Sequence, residues 1–209
     1  PLIDELFAIP DLDEDTFRTE LGIPNNQKVI ALLPGSRKQE INKILPVMIS
    51  VIDSFPNHRF VIAGTSNINK SIYKRFAPNV DIVMDRTYDV LRVAQAAIVT
   101  SGTATLETAL LKTPQIVCYK ASPLSFAIAK RIVKLPFVSL VNLIAGRLLV
   151  QELIQKDCNA FAFTDALQEI LSPEGRKKVL SGYNDLIQKL GGRGASEKVA
   201  KLIYKRTHA

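Results

Sequence analysis

Cysteine, histidine and tryptophan are nearly missing from this chain: among 209 residues there are two Cys, two His and no Trp. Cys118 and Cys158 are too few for a disulfide framework, and without a C-x-x-C pair or a nearby His cluster they make no zinc site. A reducing compartment fits. Long apolar runs are missing too. No stretch reaches the ~18 uncharged apolar residues of a membrane span, and the first residues form neither the basic nor the apolar part of a signal peptide, so a cytoplasmic chain is expected. Aromatics make up only 7%, and Tyr and Phe do not interleave with the lysines as stacking platforms, which argues against nucleic acid as the partner. Disorder is excluded from the other side: 47% hydrophobic residues and a mean hydropathy of +0.12 suffice for a packed core.

Negative charge is scarce except at the start. Residues 1–20 hold seven acids against Arg18, a net of −6, so the rest must carry +13 to reach the overall +7. Such an excess suits a phosphate ligand, an anionic membrane surface or nucleic acid, and equally a plain solvated lysine-rich face. An initiator Met is also absent. The chain opens at Pro1, which predicts a fragment or a processed chain with something before it.

From Lys28 onward, short apolar runs alternate with amphipathic segments, the pattern of βαβ units on a parallel sheet. Strands are predicted over 28–33 (KVIALL), 59–64, 79–84, 96–100 and 115–120, with a further one over 137–141 (FVSLV). Helices are predicted from Lys38 to Phe55, from Tyr88 to Ala94 and over 104–112, and three more close the chain. The fold class is therefore α/β, a Rossmann-like open parallel sheet with helices on both faces.

Open α/β sheets hold ligands outside the carboxyl ends of their strands. Two loops there carry chemistry. In Gly35-Ser36-Arg37 the glycine admits a close ligand, the serine offers a hydroxyl and the arginine can grip a phosphate with two parallel bonds. Ser101-Gly102-Thr103 precedes a helix whose dipole and amides favour an anion, although a Ser or Thr there also reads as an ordinary N-cap. Neither loop is a Walker A or a Gly-x-Gly-x-x-Gly motif. Glu107, one turn into the second helix, reads either as a dipole partner or solvated surface acid or, more sharply, as a carboxylate that accepts hydrogen bonds from both hydroxyls of a ribose.

LLPGSRKQEI (32–41), TSGTATLETAL (100–110), PQIVCYK (114–120) and FVSLVNLIAGRLLVQELIQKDC (137–158) together resemble the lipid-A-disaccharide synthase family, glycosyltransferases of the two-Rossmann-domain (GT-B) type. The resemblance implies transfer of a diacylglucosamine unit from UDP-2,3-diacylglucosamine to diacylglucosamine 1-phosphate, with no cofactor and no metal. It also implies that this chain is the C-terminal, nucleotide-binding half and that the catalytic base belongs to the other half. By position, Gly35, Ser36, Arg37, Ser101, Gly102, Thr103 and Glu107 match the nucleotide site. Asn142 matches an asparagine needed for activity, and Glu152 and Gln155 a Glu-x-x-Gln segment. Val141 departs from the pattern, standing where many members have proline.

The organisation implied is an acidic linker over 1–27, a UDP-sugar-binding domain over 28–190 and a C-terminal helix over 191–209 that packs on the absent domain or on a second copy, as in a homodimer. The segment 123–149 mixes aliphatics, Phe126 and Phe137 with Lys130, Arg131, Lys134 and Arg147, which by itself reads as core with solvated lysines at least as well as a membrane-facing segment. The acyl-chain substrate that the resemblance implies makes association with the anionic inner-membrane surface of a Gram-negative bacterium the expectation. Two other readings stand beside this one: a UDP-N-acetylglucosamine 2-epimerase-like enzyme, and a non-catalytic nucleotide- or RNA-binding module. The first expects a histidine at the nucleotide, whereas His58 and His208 fall outside both loops.

Overall fold

In the computed structural model, residues 12–121 and 136–191 are described, together with Asp4, Leu6, Tyr204 and Arg206. A short helix, α1 (Glu14–Glu20), leads into β1 (Lys28–Leu33), α2 (Lys38–Ile49), β2 (His58–Gly64), α3 (Lys70–Phe76), β3 (Asp81–Met84), α4 (Thr87–Val93), β4 (Ala94–Thr100), α5 (Thr103–Leu110) and β5 (Gln115–Tyr119). After residues 122–135 follow α6 (Leu140–Ala145), β6 (Glu152–Ile154), α7 (Ala160–Leu171) and α8 (Pro173–Lys189).

The six strands pair in parallel in the order β3-β2-β1-β4-β5-β6. Alternate side chains of one strand enter two separate cores, which is why the strands read as unbroken apolar runs. On β1, Ile30 and Leu32 face one side with Ile41, Leu45, Phe163 and Tyr183 from the helices. Val29, Ala31 and Leu33 face the other side with Phe17, Val90 and Leu91. Chain order reverses between β1 and β4, so their carboxyl ends diverge into helices on opposite faces and leave a crevice, the place where such sheets take ligands.

Local differences from the sequence expectation have physical causes. The helix from Lys38 ends at Ile49, because Pro46 inside it removes an amide donor and the chain tightens into a 3₁₀ turn at Ile52–Ser54. Within the stretch read as linker, Asp13 caps α1 through Thr16, and α1 buries Phe17 to 1% exposure.

The predicted strand over 137–141 is not a strand. Ser139 caps α6 by accepting from the Asn142 amide, so Val141 and Asn142 are helical. Position 141 is in the first turn, where an amide has no intrahelical acceptor, so neither valine nor proline there leaves a helical hydrogen bond unmade. The sixth strand is instead the three-residue β6, too short to show a period. The basic segment 123–149 lies in part, and the C-terminal helix over 191–209 almost entirely, outside the described residues. Among the described residues, no helix is long and apolar enough to cross a membrane.

Candidate functional site

A cavity of about 380 Å³ opens at the β1/β4 crossover. Its walls are the loop after β1 (Gly35, Ser36, Arg37), the first turn of α2 (Glu40), the ends of β2 and β4 (Gly64, Thr65, Thr100), and the turn and helix that follow β4 (Ser101 to Ala104, Glu107). Seven of the residues read from sequence therefore meet in one place.

The two glycines there are glycine for different reasons. Gly35 has φ +103°, and a Cβ on it would meet Glu40 Oε2 at 2.6 Å and Glu40 Cβ at 3.2 Å, so the fold itself requires glycine. Gly102 is extended, and a Cβ on it would meet nothing within 4 Å among the described residues. Only something entering the cavity would contest that space.

The helix start is also open chemically. Gly102 is the N-cap of α5, and no side chain caps it. Ser101 Oγ turns away and donates to the Val138 carbonyl at 2.7 Å, while its amide donates to the Cys118 carbonyl at 2.8 Å. The N-cap alternative for Ser101 and Thr103 is thus not what these side chains do. Thr103 and Ala104 line the cavity at the positive end of the α5 dipole.

Arg37 projects from the opposite wall with its side chain 80% exposed, and its Nη1 donates to Glu40 Oε1 at 2.9 Å. An exposed pair of this kind contributes only about 0–1 kcal/mol, so an anion in the cavity can draw the guanidinium away. Glu107 stands one turn along α5, half-buried on the same wall.

Sequence reading missed Glu40, Thr65 and Thr100. Glu40 lies in the first turn of the helix that follows Arg37, Thr65 opens the connection after β2, where no residue was singled out, and Thr100 is the last residue of the apolar run before Ser101. Among the described residues Thr100 Oγ1 is buried without a hydrogen-bond partner, and it stands in register with Cys118, whose thiol donates to the Val99 carbonyl at 3.6 Å. A second hollow of about 460 Å³ adjoins this one, sharing Gly64, Thr65, Thr87 and Glu107 and reaching Asp85 and Arg86. Arg86 is committed there to Glu20 and Asp89 and stacks over Phe17.

Three sequence-selected residues are placed elsewhere. Asn142 is fully buried, and its amide is saturated by the protein: Nδ2 donates to Val150 O (2.8 Å) and Glu152 Oε1 (2.7 Å), and Oδ1 accepts from Leu149 N (2.8 Å) and Val150 N (3.0 Å). It is a scaffold residue and not a wall of the cavity. Glu152 belongs to the same network. Gln155 Oε1 accepts from the Ala121 amide at 3.2 Å, tying β5 to the turn after β6. His58 opens β2 at the amino ends of the strands, opposite the cavity, with Nε2 3.2 Å from Gln95 Oε1, and is not among the cavity's walls.

Compared with protein families, residues 1–205 match the model described as lipid-A-disaccharide synthetase. The lipid-A-disaccharide synthase of Syntrophus aciditrophicus (strain SB) is 37% identical over 210 residues, covering 96% of this chain and 54% of that protein. That of Sulfurihydrogenibium sp. (strain YO3AOP1) is 34% identical, covering 91% and 54%. The chain thus spans about half the length of the curated relatives it matches. Among solved structures, Anabaena Alr3699/HepE in complex with UDP and glucose superposes with a TM-score of 0.59 at 12% identity, covering 98% of this chain and 54% of that one. The spinosyn rhamnosyltransferase SpnG gives 0.57 at 15% identity, covering 85% and 45%. These likenesses show a shared fold, spanning about half of each of those chains.

Proposed function

Because the chain belongs to the lipid-A-disaccharide synthetase family, we propose that it is the sugar-nucleotide-binding half of an enzyme that transfers 2,3-diacylglucosamine from its UDP derivative to 2,3-diacylglucosamine 1-phosphate. The observation that carries this reading is the crossover cavity with an uncapped helix start on one wall and a weakly held arginine on the other. The diphosphate lies between them, on the α5 amides and Arg37. Glu107 accepts the ribose hydroxyls, and the adjoining hollow by Thr65 and Thr87 takes the base. The UDP carried by the HepE structure is the same ligand class, and we bring it to this cavity on that basis.

In transfer, these groups act on the departing UDP. Negative charge grows on the β-phosphate as the bond to the sugar breaks, and a guanidinium and oriented amides already in place stabilise it without rearranging. With neutralisation assigned to them, the reading needs no metal. A base must take the proton of the acceptor hydroxyl, and we assign it to the half of the enzyme outside this sequence. The isolated chain therefore binds UDP and transfers nothing. Acylated substrates reside in a membrane, and the basic apolar segment 123–149 is our candidate for contact with its anionic surface.

Calorimetric titration tests this. UDP is expected to give saturable heat, with CDP weaker. A hydrogen bond to a charged group contributes about 1.5–3 kcal/mol, so Glu107→Ala should weaken UDP binding by about 10- to 100-fold. Equal affinity for UDP in the variant would remove the ribose role of Glu107.

A further inference from the structure

Four donors converge on one carboxylate behind the cavity wall. Glu152, the first residue of β6, accepts on Oε1 from Ser139 N (3.0 Å), Ser139 Oγ (2.6 Å) and Asn142 Nδ2 (2.7 Å), and on Oε2 from Val138 N (2.8 Å). The bonds on Oε1 secure the start of α6, because Ser139 is its N-cap and Asn142 its third residue. The bond on Oε2 does something else. Val138 uses its N–H on Glu152 and its carbonyl on Ser101 Oγ at 2.7 Å, so one residue links the carboxylate to the turn that opens the cavity.

We propose that Glu152 is a positioning residue for the Ser101–Gly102–Thr103 turn: it holds Val138, Val138 holds Ser101, and Ser101 sets the direction of the amides at the start of α5. This rests on the reading of that turn as the diphosphate site. Ser101 then serves the ligand through a brace on its hydroxyl, and Glu152 serves it without touching it. The side-chain chemistry is specific. Among the described residues the four groups that meet Glu152 are all donors, so an ionised carboxylate satisfies every one of them, whereas an amide can accept on one side only.

That asymmetry separates the brace from the cap. In Glu152→Gln the amide oxygen settles where three donors meet, and its NH₂ is left facing the Val138 N–H. The variant keeps the α6 cap and breaks the link to Ser101. Ser101→Ala breaks the same brace from the other end.

UDP affinity and unfolding midpoint are measured for the unmodified chain, E152Q, S101A and the double variant. Each single change is expected to weaken UDP binding by about 3- to 10-fold, the scale of one lost neutral hydrogen bond. The unfolding midpoint should stay near that of the unmodified chain in S101A and fall by about 3–10 °C in E152Q, which sets two donors face to face, with both chains folded at the temperature of the titration. The double variant should bind no more weakly than the weaker single, because both changes cut one brace. The inference is overturned if E152Q binds UDP as the unmodified chain does, or if the two losses multiply. If the unmodified chain shows no saturable UDP binding, the nucleotide reading itself fails and the inference falls with it. That outcome is distinct from an intact site that ignores Glu152.

Discussion

Gly102→Ala is expected to leave the protein folded and to remove nucleotide binding. A Cβ at this position meets no atom of the described residues within 4 Å, and the backbone is extended, so the added methyl costs the fold little. At an N-cap, alanine loses to glycine by roughly 1 kcal/mol, which for a chain of this size is a fall of about 2–4 °C in Tm. The same methyl stands at the mouth of the α5 amides, where a phosphate oxygen must approach. Losing one amide-to-phosphate bond removes about 1.5–3 kcal/mol, and steric exclusion adds to it, so the Kd for UDP should rise on the order of 100-fold. Calorimetry and a thermal melt on the same sample read both quantities. A drop in stability with binding intact would mean that Gly102 serves the fold alone.

Asn142→Asp is expected to act the other way, on the fold first. The change keeps shape and turns the two donor bonds of Nδ2 into contacts between acceptors, one of them against the Glu152 carboxylate. An uncompensated charge at a fully buried position costs roughly 3–5 kcal/mol, a fall in Tm of about 10 °C or more. The sign of the pH dependence identifies the cause. Burial beside Glu152 raises the introduced carboxyl above its unfolded pKa of about 3.9, so the folded state binds the extra proton more tightly. The defect should be small near pH 4 and grow as pH rises. A pH-independent defect would point to packing instead. Loss of activity on changing Asn142 in the intact enzyme would then follow from a collapsed scaffold, without contact to substrate.

The strands and the cavity were legible in sequence for a common reason. A parallel sheet buried on both faces writes itself as apolar runs, and its ligand loops follow those runs directly, so Gly35, Arg37, Gly102 and Glu107 could be placed from order alone. What failed depends on contacts distant in sequence. FVSLV has the composition of a strand, yet one hydroxyl, Ser139 on the Asn142 amide, starts a helix inside it. Asn142 reads as a polar residue awaiting a ligand. Its four bonds go to residues seven to ten positions on, which only the turn between α6 and β6 brings round to it. Phe17 gave no periodic signal in an acidic stretch, and its burial is decided by the sheet face it meets. Thr100 looked like the end of a strand. Its unsatisfied hydroxyl becomes visible only once β5 sets a thiol beside it.

The most direct test of the central claim is a residue-resolved map of amide chemical shifts as UDP is added to the chain. The two loops at the sheet crossover are expected to respond together and to saturate together: Gly35 to Arg37 on one wall, Gly102 to Ala104 on the other. Gly146 to Leu149, beyond the far end of α6, should stay still. Shifts confined to one loop, shifts centred elsewhere, or none at any UDP concentration would contradict a nucleotide diphosphate bound between these two loops.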